Sequence, residues 1–504
     1  MSDTWKCAVG NFGSKEKIVN QIFIRTWKVA ASSMFLFALM LTSNLTVSVS
    51  SARSEILGTG SHQSHSTDVE QRIRRLENGL LLPIIVKGEP SQQMKLDDRL
   101  QFHKTPAVSI AFINNGQIDW ARAYGVREAG TTDPVTTETL FQAGSISKAV
   151  TAIAVLRLVA TGKLKLDEDV NQKLVSWKVP ENELTKDKKV TLRRLLSHSA
   201  GVNVPSFIPG YTKGEQIPTL MQVLNGTKPA LNPPVRVEQV PGSGFSYSGG
   251  GYTIVQQLLV DVVGNPFPEL MDDLVFRPLK MKNTTFEQEP LLKNSDRLLV
   301  AGHDTNGQPP PGKWRIFPEM AAAGMWSTPS DLARLAIEIQ KAQQGKSKFL
   351  STATVNEMLT LQAGNWGLGF SVEGTGTSRR FGHGGDNREF NANLIVHTES
   401  GQGVVIMTNA FRGGRLLGEL LRSISCEYEW PDFRPKEKTI VKVDPKVYAD
   451  YVGQYQFAFS PDYVLTIVAE GDKLITQLKQ PTATSRPEVY PESETKFFRR
   501  DVDV

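Results

Sequence analysis

Cysteine is nearly absent from this 504-residue chain: Cys7 and Cys426 are the only two, too few for a disulfide framework and without the paired spacing of a zinc site. Histidine is scarce too. None of the seven falls in a clustered metal-ligand motif, which argues against a zinc hydrolase, and no cofactor is expected. Neither sign of charge dominates. A formal charge of +5 is slight for this length and gives no footprint for nucleic acid. Long hydrophobic runs are also missing, because the apolar stretch from Val29 to Leu41 falls short of the ~20 residues that span a bilayer. What remains, 40% apolar and 22% charged residues, is the composition of an ordinary globular protein with room for one large catalytic domain and one small one.

Residues 1–52 have the layout of an export leader. Basic residues end at Lys28, the apolar run follows, and Ser50, Ser51 and Ala52 offer a small-x-small cleavage pattern. The expected location is therefore periplasmic or extracellular; an uncleaved leader would instead anchor the chain to a membrane through residues 29–41. Cys7 would leave with a cleaved leader, and Cys426, alone in an oxidising compartment, is expected to be buried. Residues 53–67 are rich in Ser, His, Gly and Gln and read as a flexible tether, with His62 and His65 part of that polar tract.

The stretch with the most to say runs from Phe141 to Leu166. Between Ser147 and Ala160 it contains neither Pro nor Gly and is almost wholly apolar, which predicts a helix buried on all sides and ended by Gly162. Such a helix is a stiff mount. Ser145 falls at its first turn, where free N–H groups and the positive dipole end favour an oxygen gaining negative charge. Lys148, three residues on, shares that face and can reach the same oxygen. An amine that takes the hydroxyl proton turns a serine into a nucleophile. S-x-x-K by itself is weak, since it recurs at Ser14 to Lys17 in a polar segment with no helix behind it.

Around this helix, strands are expected only at the two ends of the domain. Ala107 to Ile113 and Gln117 to Val126 flank the hairpin signal Asn114, Asn115, Gly116, and Asn391 to His397 and Val404 to Asn409 alternate near the other end. Helices are expected at Asp68 to Asn78, Gln92 to Phe102, Tyr252 to Val263, from Ser330 onward, and at Leu416 to Tyr428. Seven prolines between Gly201 and Pro241 predict long surface loops of the kind that shape a binding site. The fold class is therefore α+β: one antiparallel sheet closed by distant segments and flanked by helices, with a mainly helical insertion beside it.

Two further stretches complete a constellation. In Pro241 to Tyr252, PGSGFSYSGGGY, Tyr247 stands among glycines that would let a substrate approach the backbone; Arg380 to Asn387, RFGHGGDN, leads into a strand and has the glycines of an open strand edge. The ordered set S-x-x-K, Tyr, H-G-G resembles the serine β-lactamase and penicillin-binding protein superfamily, in its class C β-lactamase, D,D-peptidase and esterase-like branch. The segments LRRLLSHSAGV (192–202), VFRPLKMKNTTF (275–286), AAGMWSTPSDLARLA (322–336) and GQGVVIMTNA (401–410) are similar to that branch as well. The likeness covers roughly residues 92 to 430.

The resemblance implies roles. Ser145 would attack a carbonyl and carry the acyl group, Lys148 and Tyr247 would share the proton traffic with the base left open between them, and the backbone N–H groups of Ser145 and Asp386 would form the oxyanion hole. His383, Gly384, Gly385 and Gly249 would contact the substrate, a small molecule or a cell-wall peptide. Two positions depart from the family. Gly249 stands where the second motif has Asn, which favours substrates other than peptides and β-lactams, and His383 stands where the third motif has Lys. A histidine with the ordinary pKa near 6.5 would gain charge as pH falls, so activity on a carboxylate-bearing substrate is expected to rise relative to a neutral ester from pH 8 to pH 6. Arg388 or Arg380 would restore a fixed charge if either faced the site. His198, in the helix-ending loop LSHSAG, is read as a structural hydrogen-bonding residue.

The function implied is an exported serine hydrolase forming an acyl-enzyme on an ester, amide or β-lactam, esterase or D,D-peptidase-like rather than an efficient β-lactamase. The alternative is a penicillin- or peptidoglycan-binding sensor that acylates without turnover. The catalytic domain is expected at 68–430 and a linker at 431–446. Residues 447–504 resemble a small lipocalin-like β domain of four or five strands, too few for an eight-stranded barrel.

Overall fold

A computed structural model describes residues 58–90, 92–288, 299–457, 460–479 and 486–502. The expected leader, Cys7 and the start of the tether lie outside these residues. The described residues fall into two units, one within 71–82 and 92–435, the other within 58–70, 83–90 and 436–502.

Helix α1 spans Gly58–Asn78, so most of the stretch read as a tether is helical and the helix begins well before Asp68. In the larger unit, β1 (Ala107–Asn114) and β2 (Gln117–Gly125) are joined by Asn115 and Gly116 at φ 49° and 68°, the two left-handed positions of a tight hairpin turn. The buried helix is α2 (Ile146–Ala160), followed by α3 (Gly249–Val263), the short α4 (Met320–Ala323) and α5 (Pro329–Gln343). The chain then returns to the sheet with β3 (Ser371–Glu373), β4 (Arg380–Asp386), β5 (Asn391–His397) and β6 (Gly403–Thr408), and α6 (Gly413–Glu427) closes the unit.

The six strands lie in the order β2-β1-β6-β5-β4-β3, every neighbouring pair antiparallel. β1 pairs with β6, Ile110 opposite Ile406, so the two ends of the unit close one sheet. All of β6 and nearly all of β1 are buried, which requires cover on both faces. α5 packs on β1 and β6, and α2 packs on α4 and faces β4 and β5. The expected α+β layout with its antiparallel sheet is what the molecule has.

Local chemistry moves several boundaries. α3 starts at Gly249 rather than Tyr252, because Ser248 caps it by accepting from the Gly251 N–H at 2.8 Å, and it stops at Gly264 with φ 83°. Thr328 caps α5, with Pro329 in the first turn where its missing N–H costs nothing. β4 is an edge strand only in part: β3 pairs with Arg380 to Gly382, and the pairing ends before His383. Cys426, expected to be buried, is exposed on α6.

In the second unit, β7 (Gly453–Phe457), β8 (Ser460–Glu470), β9 (Lys473–Lys479), β10 (Glu488–Ser493) and β11 (Lys496–Phe498) form a five-stranded antiparallel sheet in chain order. Part of the stretch read as a linker is strand, since Lys436–Lys438 pairs in parallel with Ile84–Val86. Among the described residues no helix is long and apolar enough to cross a membrane, and no three His, Cys, Asp or Glu side chains gather as metal ligands.

Candidate active site

Ser145 is the N-cap of α2, partly open to solvent, while Lys148 behind it is buried. Lys148 Nζ lies 2.9 Å from Ser145 Oγ and donates to the Ala322 carbonyl at 2.7 Å. The Ala322 carbonyl takes one amine hydrogen, which turns the nitrogen toward the serine. Burial lowers the Lys148 pKa to about 7. That is the range a base needs to be both neutral and basic at physiological pH.

Tyr247 immediately precedes the Ser248 cap. Its ring sits 5.1 Å from Lys148 Nζ, and burial raises its phenol to about 12, a rise tempered by its interaction with the Ser145 side chain. A phenol that hard to ionise stays protonated. Between the two candidates for the base, these shifts favour Lys148 and leave Tyr247 as a proton donor.

His198 holds Tyr247 from both sides. Ser246 N–H donates to the His198 carbonyl at 2.7 Å, Ser248 N–H donates to His198 Nδ1 at 3.1 Å, and the imidazole lies 4.2 Å from the Tyr247 ring, centroid to centroid. This is the structural role read from its loop. Trp366 packs edge-on to Tyr247, His383 and His198. Sequence reasoning missed it, because a single tryptophan outside any motif carries no signal until the loops are placed.

The far wall is the end of β4. Gly385 lies so close to the segment before Ser145 that a Cβ on it would come within 2.0 Å of the Ala143 carbonyl; a Cβ on Gly144, at φ 51°, would lie 2.7 Å from Asp386 N. Glycine at both positions is what lets the two backbones meet, and it brings the Asp386 amide against the residue that precedes Ser145. Asn387 locks this arrangement, its amide donating to Gln142 Oε1 at 3.1 Å and to the Ala323 carbonyl at 2.9 Å.

Three expectations change here. Gly249 is not exposed to a ligand: it is buried in the first turn of α3, where a Cβ would meet the Phe207 ring at 3.0 Å. Arg380 pairs with Glu373 at 2.6 Å and Asp432 at 2.5 Å, so it is committed elsewhere, and Arg388, exposed, has Glu389 at 3.7 Å. His383 is buried with Nδ1 2.6 Å from the Gly384 carbonyl, and its pKa is lowered to about 3 by burial first and then by the Lys148 charge. It is neutral from pH 8 to pH 6, so it cannot be the source of the pH dependence read from the sequence. His383→Asn is accordingly expected to leave the pH dependence of the activity ratio, carboxylate-bearing substrate over neutral ester, unchanged over that range. Parallel steady-state assays of both proteins check this, and a dependence lost only in the variant would show a charged His383.

Glu319 was not foreseen. It precedes α4, is 0% exposed, and burial raises its carboxyl to about 8. Only the folded chain brings it near Tyr247, as fellow lining of a pocket of about 510 Å³ walled by the proline-rich loops.

An antiparallel sheet, a buried helix carrying Ser145 and Lys148, and Tyr247 against that pair together define the class of the serine β-lactamases and penicillin-binding proteins. The Beta-lactamase family model matches residues 94–424, and the chain belongs to that family. Penicillin-binding protein 4 of Amycolatopsis lactamdurans is 25% identical over 350 residues, 66% of this chain and 89% of that protein. Protein flp of Staphylococcus aureus strain MW2 is 26% identical over 235 residues, 47% of this chain and 44% of its own length. Among solved structures, the octameric penicillin-binding protein homologue from Pyrococcus abyssi has a TM-score of 0.57 at 21% identity, over 79% of this chain and 89% of that one. D-amino acid amidase from Ochrobactrum anthropi SV3 has a TM-score of 0.55 at 19% identity, over 72% and 99%. These two likenesses show the fold.

Proposed function

We propose that this chain is an exported serine hydrolase that forms an acyl-enzyme at Ser145 on an ester or amide carbonyl. The observation that carries the reading is the buried Lys148 amine, 2.9 Å from Ser145 Oγ and with its pKa near 7. Neutral Lys148 takes the proton as Ser145 Oγ bonds to the carbonyl carbon, and the Ser145 and Asp386 amides receive the oxyanion. Tyr247 passes a proton to the leaving group, its own being replaced from Lys148. Water then attacks the acyl carbon and gives a proton to the same amine, which passes it to Ser145 Oγ as the acyl–oxygen bond breaks, so that the acid leaves and the serine hydroxyl and neutral amine are restored. The family is consistent with acyl transfer from an amide-type carbonyl, a β-lactam included, and the name of the amidase neighbour is consistent with an open-chain amide. The leader-like residues 1–52 support export, and the mature N-terminus in cell fractions tests it.

Ser145→Ala is expected to abolish turnover of p-nitrophenyl butyrate, with wild type showing sustained release and a mass adduct on Ser145. A chromogenic cephalosporin is expected to be the poorer substrate. A stoichiometric burst with a stable adduct and no steady state would favour the sensor reading instead, and release unaffected by Ser145→Ala would remove Ser145 as the nucleophile.

A further inference from the structure

The pocket beside Tyr247 has unmet acceptors in its wall. Neither carboxyl oxygen of Glu319 has a hydrogen-bond partner on another residue although the residue is 0% exposed; only its own backbone N–H acts on the carboxyl. Asn232, also in the wall, spends its amide hydrogens on the Val223 and Pro233 carbonyls, both at 2.8 Å, and leaves its own buried Oδ1 without a partner. Tyr211 links the two places: its hydroxyl accepts from Leu231 N–H at 3.1 Å, and the Glu319 carboxyl helps raise its pKa.

Buried acceptors without donors are costly, and a ligand that brings N–H groups and positive charge would meet that cost. The charge balance of the wall points the same way. No Lys or Arg is among the residues lining the pocket, and its second acid, Glu238, already accepts from Arg236 at 3.0 Å and Asn203 at 3.1 Å. With His383 neutral, the centre offers an anionic substrate little, whereas a cation finds a carboxyl able to ionise. Burial leaves Glu319 protonated at neutral pH in the empty pocket, so taking up an ammonium would release a proton.

We propose that Glu319 and Asn232 form a subsite for a protonated amine, so that the acyl donor used at Ser145 is an ester or amide bearing an amino group. The substrate class rests on the serine-hydrolase reading; the amine site does not. The test uses alkylboronic acids, which bond to an active serine, with a terminal ammonium on chains of three to six methylenes, each paired with its isosteric methyl-ended analogue. For wild type at pH 7.5, the Ki of the cationic member is expected to be at least about tenfold lower at one chain length, and in Glu319→Gln the ratio is expected to fall to about one. No preference at any length, or a preference that survives Glu319→Gln, overturns the proposal.

A second measurement bypasses the serine: n-pentylammonium and n-pentanol titrated calorimetrically into the Ser145→Ala protein, with and without Glu319→Gln. Tighter binding of the amine, accompanied by proton release and lost with Glu319, is the expected result; equal binding of amine and alcohol is the contrary one. Boronic acids that fail to bond while the amine still binds through Glu319 would overturn the serine reading and leave the subsite standing. Thermal melting controls for folding, with Glu319→Gln expected to melt higher than wild type at pH 8.

Discussion

Lys148→Met is expected to lower kcat/KM by at least about 10³-fold while making the protein more stable at pH 6. The loss of activity follows from removing the amine at 2.9 Å from Ser145 Oγ. The gain follows from the shift that makes the amine useful. A lysine brought from 10.5 to about 7 by burial holds its proton less tightly folded than unfolded, which opposes folding by about 4 to 5 kcal/mol below pH 7. Met fills a similar volume without a charge. Loss of the hydrogen bonds to Ser145 and Ala322, about 1 kcal/mol each, offsets part of this and leaves a net gain of about 2 to 3 kcal/mol.

The sign with pH is set by the direction of the shift. Between pH 7 and 10 the unfolded chain binds the extra proton, so wild-type stability rises with pH and the advantage of the variant fades. Wild-type kcat/KM should rise tenfold per unit below about pH 7 and level off above it, as the neutral amine accumulates. Urea titrations at pH 6 and 10, with a pH–rate profile, check both arms; a variant less stable than wild type at pH 6 would contradict the desolvated lysine.

Gly385→Ala is the second large effect, expected to cost about 10² to 10³ in kcat. Its Cβ would sit 2.0 Å from the Ala143 carbonyl, a backbone atom that cannot swing aside as a side-chain tip can. The end of β4 must therefore move away from the start of α2, carrying the Asp386 amide with it and out of the place proposed for the oxyanion. Overpacking of this kind also costs about 1 to 3 kcal/mol of stability. The discriminating measurement compares kcat with KM for one ester: a fall in kcat at little-changed KM marks a lost transition-state contact, whereas unchanged kcat would mean that Asp386 N–H is not used.

These effects show where sequence reading stops. The closeness of Ser145 and Lys148 was legible because one uninterrupted apolar run determines a buried helix, and three-residue spacing on a helix determines a shared face. The hairpin at Asn115 and Gly116 was legible because only certain residues accept left-handed φ. Other features depend on what surrounds a residue. Gly249 and Gly385 look alike in sequence, yet one packs under Phe207 inside a helix and the other meets Ala143 across the cleft. His383 carries an ordinary pKa in sequence and one near 3 in the fold, because burial beside Lys148 penalises its charged form. Cys426 was read as buried on redox grounds alone, which say nothing about which face of α6 it occupies.

The sequence by itself determined the family, the α+β architecture and the order of the three motifs, all of which are written in local patterns of apolar, small and nucleophilic residues. Only the tertiary structure decided that Lys148 is buried against Ser145, which glycines bring backbones together, and that Glu319 stands without a partner on another residue in the pocket beside Tyr247. The reason is physical: protonation and recognition are set by desolvation and by neighbours distant in the chain, and neither exists until the chain has folded.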